Sequence, residues 1–403
     1  MSQVIVVVAL CICFFHNAAA LRSPPHIHVD LDAPPALRWA NALETVLAVH
    51  PWEFGFAPAF AAHNASLFNQ LNASHYTILV RAMRTHWSEQ ADELTFLASR
   101  FAAAGHPEVT FSYLCAWVFF HELDHTDLHR LMPGAAASPP HRACTGIVAQ
   151  DATHGVTHVA NMDQSPPSIR NVTLRVTFTR GDTVVAEAVD WYWFTTGMTR
   201  MVAKRSVSLQ ENWRFSDPPL DHDVVLAAIA AGATPHVFYA RSLLLNTASS
   251  HVTFNTAVEA LSTMHLAAPM YAVVGGVAPG EGAIIARGVG TEVVNVTRLS
   301  SLSSSPSFIV QTNYDNWLPD DQSDARRTAA IMYMNSSFPN PTSPLGLYAV
   351  ASAYPVHNPH TAYTALMSAA EGTLIAVTRQ GLCPTAYGVF AAPVLIKYSQ
   401  CEE

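Results

Sequence analysis

The sequence is poor in charged residues. Asp, Glu, Lys and Arg make up only 13% of its 403 residues, and 21 basic against 30 acidic residues give a formal net charge of −9 at pH 7. No basic cluster offers an electrostatic surface for phosphate backbones, so nucleic-acid binding is not expected. Half of the residues are hydrophobic, which excludes intrinsic disorder and predicts a large buried core.

Cysteine is scarce as well. Six cysteines in a chain of this length are too few for a disulfide-rich scaffold. Cys115 lies in an apolar run and is most simply a core thiol, whereas Cys383 and Cys401 could pair near the end of the sequence. Cys144 fits neither pattern.

The first twenty residues have the pattern of a targeting segment. The apolar run from Val4 to Phe15 is followed by Ala18 to Ala20, which predicts a signal peptide over residues 1–20, with an uncleaved signal anchor as the alternative. The run is short for a membrane span of about 20 residues. Five N-glycosylation tripeptides agree with a lumenal or secreted glycoprotein, and they begin at Asn64, Asn72, Asn171, Asn295 and Asn335.

Apolar periodicity changes along the chain. Helical spacing covers 37–50, 76–101, 111–123, most of 224–264, and 347–353. Alternating strand patterns cover 26–32, 144–150, 158–162, 172–178, 184–193, 270–275, 282–286, 292–299, 308–312, 362–369 and 373–378. Strands joined as hairpins rather than as strand–helix–strand units predict an α+β protein with antiparallel sheets covered by helices.

One motif is typical of zinc hydrolases. His121, Glu122 and His125 fit H-E-x-x-H, in which two histidines on one helix face bind zinc and the glutamate acts as base. His129 could be a third ligand. A sequence with twenty histidines also produces such spacings by chance.

Cys144 has the position of an N-terminal nucleophile. It opens a predicted strand directly after a loop at 132–140 that is rich in Pro, Ala, Gly and Ser. Cleavage between Ala143 and Cys144 would free an α-amine with a pKa of ~7.7–8, which can accept the thiol proton. From spacing alone, a buried structural cysteine is the simpler interpretation.

Several segments, in order, resemble one family. They are Cys144–Asp151 (CTGIVAQD), His158 with Asn161–Asp163, Val29–Trp39, Val274–Gly276 with Gly280–Gly282, Val310–Trp317, Asp324–Thr328 and Tyr363–Ser368. The chain thereby resembles the acid ceramidase and N-acylethanolamine acid amidase family. The resemblance implies an N-terminal-nucleophile αββα four-layer sandwich, with a mainly helical α-subunit over 21–143 and a β-subunit over 144–403 cut from one precursor.

The resemblance also implies roles for individual residues. Cys144 would be the nucleophile and its α-amine the base, Asp163 would hold the amine, and Asn313 would contribute to the oxyanion hole. Arg326 would support the site. In this reading Glu122 has a place in the fold without metal, so no metal and no cofactor are expected.

One position departs from the family pattern. Sixteen residues after the nucleophile the family has an arginine, where this chain has Ala160. Glu211 matches the glutamate that accompanies the arginine, and Arg200 or Arg205 could replace the missing charge. The departure leaves open a catalytically weak relative that only binds lipid.

The function expected from the resemblance is amide hydrolysis in an acidic lumen. The enzyme would cut ceramide or N-acylethanolamine to a fatty acid and an amine through a thioester on Cys144. Its location would be the lysosome or acidic endosomal lumen, or outside the cell. Below a pH of ~6.5 the twenty histidines add positive charge, which favours contact with anionic lumenal membranes or a lipid-presenting protein.

Overall fold

The computed structural model describes residues 21–128, 143–192, 198–215, 218–245, 252–299, 308–320, 324–336 and 340–379. The described strands are β1 (Leu21–Arg22), β2 (His26–Asp30), β3 (Ala143–Asp151), β4 (Gly155–Asp163), β5 (Thr173–Arg180), β6 (Thr183–Trp191), β7 (Arg200–Val202), β8 (Ser208–Trp213), β9 (Met270–Gly275), β10 (Gly282–Arg287), β11 (Val293–Arg298), β12 (Phe308–Gln311), β13 (Thr361–Ser368) and β14 (Thr373–Arg379). They form two sheets.

The first sheet has the strand order β1-β14-β13-β4-β3-β12, and the second has β11-β10-β9-β8-β7-β6-β5-β2. All pairings are antiparallel except that of β2 with β5. The hairpin of β3 and β4 pairs Cys144 with Met162 and Gly146 with Ala160. The antiparallel sheets predicted from the hairpin pattern are therefore confirmed.

The described α-helices are α1 (Ala42–Val49), α2 (Phe56–Ser66), α3 (Ala73–His86), α4 (Ser88–Ala103), α5 (Phe111–Val118), α6 (Phe120–Asp124), α7 (His222–Ala230), α8 (Tyr239–Leu244), α9 (Phe254–Thr263), α10 (Arg326–Met334) and α11 (Pro344–Ser352). Short 3-10 helices lie at Pro35–Leu37, Trp52–Phe54, Phe68–Gln70, Pro167–Val172 and His236–Phe238. None of the described helices has the length and hydropathy that a membrane span requires.

The sheets pack face to face with helices outside. Strand β3 lies against β8 and β9, so the two sheets share an apolar layer. Helices α10 and α11 cover the first sheet, and α9 covers β9 and β10 of the second. Alternation along β3 explains this sandwich, because Ile147 packs in a cluster with α11 while Val148 packs in a cluster with residues of β9 and β10. The layers are helix, sheet, sheet and helix, as expected.

The segment before Cys144 is helical but not separate. It adds β1 to the edge of the first sheet, where Leu21 pairs with Arg379, and β2 to the edge of the second, where His26 pairs with Arg175. A cut before Cys144 would leave both pieces joined by hydrogen bonds and a shared core. The subunit boundary at Ala143–Cys144 stays a prediction.

Most predicted elements exist, with shifted ends. The pattern at 76–101 forms two helices, α3 and α4, which meet at Trp87. The pattern at 37–50 forms only the 3-10 turn Pro35–Leu37 and α1. Strands β1, β7 and β8 and helices α2 and α10 were not predicted. The proposed signal peptide, the loop at 132–140, His129, Cys383 and Cys401 lie outside the described residues.

Candidate active site

Cys144 is the second residue of β3, which lies between β4 and β12 in the first sheet. Its side chain is 5% exposed and enters the layer between the sheets, where Sγ lies 3.6 Å from Met162 Sδ. Burial raises the pKa of the thiol to about 11, against the opposing effect of Arg200. The sulfur therefore needs a charged partner or a base before it can act as a nucleophile.

Asn313 holds the backbone nitrogen of Cys144. It follows β12 by two residues and is fully buried. The Cys144 N–H donates to Asn313 Oδ1 at 2.7 Å, and Asn313 Nδ2 donates to the Trp213 carbonyl at 2.9 Å. Sequence reasoning placed Asn313 at the oxyanion. In the intact chain its oxygen instead holds the nitrogen that cleavage would turn into an amine.

Arg326, the first residue of α10, fixes the backbone on the other side. Its Nη1 donates to the Cys144 carbonyl at 2.7 Å, and its Nη2 donates to Asn313 Oδ1 at 2.9 Å. Although burial alone would lower the pKa of Arg326, the carboxylates of Asp163 and Asp324 raise it. Since a buried, paired arginine stays charged, Arg326 is a permanent cation against the Cys144 peptide group.

Asp163 ends β4 and is also fully buried. Its carboxylate accepts hydrogen bonds from Thr361 Oγ1 at 2.6 Å and Asn358 Nδ2 at 2.8 Å, and lies 3.5 Å from Arg326 Nη1. Burial raises the pKa of Asp163 to about 6, with Arg326 opposing the shift. Its ion pair with Arg326, which donates to the Cys144 carbonyl, thus connects the carboxylate to the cysteine. The role expected for Asp163, holding the amine directly, stays a prediction.

An arginine of the second sheet contacts the sulfur of Cys144. Arg200, on β7, is fully buried and donates from Nη2 to Cys144 Sγ at 3.2 Å. Its Nη1 lies 4.0 Å from Glu211 Oε2, so Glu211 keeps an arginine partner. Arg205, the other candidate, is exposed. Ala160 is fully buried on β4.

His158 connects the two sheets behind the cysteine. Its Nδ1 lies 3.1 Å from Ser208 Oγ and its Nε2 lies 2.9 Å from Gln210 Oε1. Burial lowers the pKa of His158 to about 4, so the ring stays neutral at mildly acidic pH. Gln210 also donates to the Thr145 carbonyl at 3.2 Å. His158 is thus bound by side chains of β8.

The two histidines of the zinc motif lie close together, but the trio placed to share a metal ion is a different one. Helix α6 ends at Asp124, and the side chains placed to share a metal ion are His121, Glu122 and His236, all buried. Glu122 accepts the backbone N–H of His236 at 2.6 Å, and burial is outweighed by His236 and His121, which lower the pKa of its carboxyl. His125 contacts His121 through Nε2 at 3.0 Å and is not in the metal-competent trio. Glu122 therefore ties α6 to the segment that carries His236.

Sequence reasoning missed several residues that shape the site. Thr361 and Asn358 hold Asp163, and Asp324 accepts from Arg326 Nη2 at 2.6 Å. Asp324 carries a signal, since it lies two residues before Arg326 in a matched segment. Neither Asn358 nor Thr361 does, because only the pairing of β13 with β4 brings them to the cysteine.

A cysteine at the start of a central strand, inside a helix–sheet–sheet–helix sandwich, is the arrangement that the resemblance to N-terminal-nucleophile hydrolases predicts. No protein-family model matches the chain. Curated relatives are found by sequence: the chain is 32% identical to N-acylethanolamine-hydrolyzing acid amidase of Rattus norvegicus over 229 residues, and 27% identical to that of Caenorhabditis elegans over 367 residues. It is 28% identical to acid ceramidase of Balaenoptera acutorostrata scammoni over 260 residues.

The chain is thus similar in sequence to N-acylethanolamine acid amidases and acid ceramidases, and it spans less than two thirds of the length of the rat and whale proteins. The matches cover 61% of the rat protein, 62% of the whale protein and 94% of the nematode protein, and 57%, 60% and 91% of this chain. A solved structure, of a Caenorhabditis elegans N-acylethanolamine-hydrolyzing acid amidase ortholog, is similar with a TM-score of 0.49 and 29% identity. It covers 56% of this chain and 93% of that chain.

Proposed function

We propose that the protein is an amidase that cleaves itself between Ala143 and Cys144 and then hydrolyses the amide bond of N-acylated lipids. Its substrates are N-acylethanolamines or ceramides, the classes that the names of its relatives carry. The products are a free fatty acid and an amine. Cys144 is the nucleophile and its α-amine is the base.

The observation that carries the proposal is the set of contacts around Cys144. Its nitrogen donates to Asn313, its carbonyl accepts from Arg326, and its sulfur accepts from Arg200. The backbone N–H and C=O of any buried cysteine need partners, but a structural core cysteine needs no cation on its sulfur. The buried guanidinium at Sγ therefore supports a reactive role, because burying a charge is costly unless it is paired.

Self-cleavage requires an acyl shift at the peptide bond before Cys144. The Cys144 sulfur attacks the Ala143 carbonyl carbon, the C–S bond forms, and the C–N bond breaks as the nitrogen gains the thiol proton. Water then hydrolyses this thioester, which gives the Ala143 carboxylate and restores the thiol. Asn313 Oδ1 already accepts the N–H, so it is placed to hold the new amine.

Amide hydrolysis repeats the chemistry on a lipid. The α-amine accepts the thiol proton as the sulfur attacks the lipid carbonyl carbon, and the proton passes to the leaving amine. Water then cleaves the acyl thioester, which releases the fatty acid and the thiol. Asn313 Nδ2 carries two N–H groups, of which one donates to the Trp213 carbonyl, so the other can donate to the oxyanion. We therefore assign Asn313 to both the amine, through Oδ1, and the oxyanion, through Nδ2.

The compartment follows from the same chemistry and the relatives' names. An acid amidase works in an acidic lumen, so we place the protein in the lysosome or an acidic endosomal compartment, reached through the predicted signal peptide. The lipid substrate would be extracted from anionic lumenal membranes or delivered by a lipid-presenting protein. The apolar helix α5 carries five buried residues, consistent with a core role rather than membrane contact.

A substrate panel tests the activity. The acid-incubated protein and its Cys144→Ala variant are assayed at pH 4.5–5.5 against an N-acylethanolamine and a ceramide with the same acyl chain. We expect fatty-acid release from at least one substrate by the native protein and none by the variant. Release that survives in Cys144→Ala, or no release from either substrate by self-cleaved protein, contradicts the proposal.

The binding-only alternative rested on the missing charge at position 160. Arg200 places a guanidinium on the sulfur, which removes the observation that favoured this alternative. Binding of both lipids without turnover by self-cleaved protein would restore it.

A further inference from the structure

The two sheets present different side chains to the sulfur of Cys144. On the first sheet, three paired positions near the cysteine are small: Ala160 pairs with Gly146 on one side and Ala365 on the other. A side chain built on Gly146 would meet Gln210, so the second sheet approaches closely here. The first sheet therefore brings no charge to the sulfur from these three positions.

The second sheet brings one guanidinium to the same sulfur. Arg200 is one of the largest fully buried side chains of the protein, and its Nη2 lies 3.2 Å from Cys144 Sγ. It pairs in the sheet with Val189 and Gln210, which fixes its backbone in the middle of β6, β7 and β8. The contact is thus built from a central strand rather than from a surface loop.

Carboxylates surround this guanidinium. Glu211 Oε2 lies 4.0 Å from Arg200 Nη1, and Asp190 is fully buried beside it with its carboxylate bound by Thr199. Burial alone would lower the pKa of Arg200, but Tyr363, Cys144, Glu211 and Asp190 raise it. Arg200 stays charged at every working pH, and its Nε is without a hydrogen-bond partner among the described residues.

We propose that Arg200 is the electrostatic partner of the Cys144 sulfur in catalysis, supplied from the second sheet in place of the arginine absent at position 160, and that Glu211 positions it. This inference rests on the proposed function, because the reaction that Arg200 would assist is the amide hydrolysis proposed above. A cation at 3.2 Å stabilises the thiolate that attacks the lipid carbonyl carbon. Glu211 acts through Arg200 and is a positioning residue.

The test measures thiolate formation separately from turnover. Arg200→Gln, Arg200→Lys and the double variant Ala160→Arg/Arg200→Ala are compared with native protein in two assays. The first is the rate of Cys144 alkylation by iodoacetamide from pH 5 to 8, read by peptide mass. The second is kcat and KM for lipid hydrolysis.

We expect Arg200→Gln to slow alkylation and lower kcat by at least about tenfold, equivalent to one pKa unit, with a smaller change in KM. Arg200→Lys keeps a positive charge, so its alkylation rate and kcat should lie between those of the native protein and those of Arg200→Gln. The double variant returns a guanidinium to the first sheet and should recover both rates. Glu211→Gln should lower kcat less than Arg200→Gln does.

Arg287→Gln is the matched control. Arg287 is equally buried but donates to the backbone carbonyls of Leu261, Met264, Gly290 and Glu292, so its loss tests the cost of removing any buried arginine. Folding of each variant is checked by thermal melting. Loss of both rates in Arg287→Gln to the same degree would overturn the inference.

The inference and the proposed function fail separately. If the native protein hydrolyses lipid and folded Arg200→Gln has an alkylation rate and kcat within twofold of native, only the role of Arg200 is overturned. If the native protein hydrolyses neither lipid but Arg200→Gln is still alkylated more slowly than native, the charge effect of Arg200 is supported and the proposed function fails. No recovery in the double variant contradicts the claim that charge at the sulfur is what Arg200 supplies.

Discussion

Two arginines contact Cys144 from opposite sides, and they are held differently. Arg326 donates to Asp324, Asn313 and the Cys144 carbonyl from all three of its nitrogens, and lies at the start of a helix. Arg200 donates to the sulfur and to Thr199, keeps Nε without a hydrogen-bond partner, and lies on a strand of the other sheet. Arg326 holds the backbone of the cysteine, whereas Arg200 faces the atom that reacts.

The two arginines therefore have different roles at Cys144: Arg326 fixes the backbone geometry, and Arg200 affects the reactivity of the sulfur. Removing Arg326 should disturb the peptide that has to be cut, while removing Arg200 should alter the charge of the sulfur within a retained fold. Substitutions that weaken both sides equally would contradict this division.

The largest effect is expected for Arg326→Gln. It leaves buried Asp163 and half-buried Asp324 beside a neutral side chain, and breaking a buried ion pair costs ~3–5 kcal/mol of the free energy of unfolding. Self-cleavage in acidic buffer should fall below detection. Chemical denaturation measures the free energy of unfolding, and intact-mass analysis measures self-cleavage. Arg327→Gln is the control, since Arg327 is also buried but donates to the Asp315 carbonyl, and it should still cleave.

A smaller, signed effect is expected from pH. The pKa of Asp163 is raised from 3.8 to about 6, so its contribution to stability is present below pH ~4 and lost as the pH rises through 6. The pKa of His158 is lowered from 6.5 to about 4, so its contribution is present above pH 6.5 and lost as the pH falls through 4.

The two substitutions should therefore shift stability in opposite directions. Between pH 4 and pH 7, the free energy of unfolding of Asp163→Asn should rise relative to that of the native protein by roughly 2–3 kcal/mol. That of His158→Gln should fall relative to the native protein by a similar amount. Denaturation at the two pH values measures both. If the stability of both variants changed with pH in the same direction relative to native, the pKa shift assigned to Asp163 or to His158 would be contradicted.

The smallest effect is expected at the histidine cluster. His121, Glu122 and His236 are close enough to share a metal ion, but Glu122 already accepts the His236 backbone N–H. We expect chelator treatment to change lipid hydrolysis by less than about twofold, and elemental analysis to find less than stoichiometric zinc. Stoichiometric zinc, with activity lost to chelator and restored by zinc, would assign this cluster to the reaction.

The sequence allowed prediction of the residues on the backbone side of the site better than those on the sulfur side. Cys144, Asp163, Asn313 and Arg326 lie in segments that resemble the family, and the structure brings all four together. Antiparallel sheets were predictable because long strands such as β5 and β6 alternate clearly. Element ends shifted where a helix met a turn, as at Trp87.

The sulfur side could be predicted only as an open choice. Strand β7 has three residues, too few for an alternating pattern, so nothing indicated that Arg200 would point between the sheets. Its neighbour β8 is buried on both faces and does not alternate. The choice between Arg200 and Arg205 depended on the pairing of these strands, which no local pattern contains.

The amino terminus at residue 144 tests the central claim most directly. Purified precursor is incubated at pH 4.5 and at pH 7.5, and the pieces are identified by intact mass and amino-terminal sequencing, with Cys144→Ala alongside. The account predicts a new chain that begins at Cys144 in the native protein and none in the variant. A native protein that hydrolyses N-acyl lipids while remaining uncut before Cys144 would contradict it.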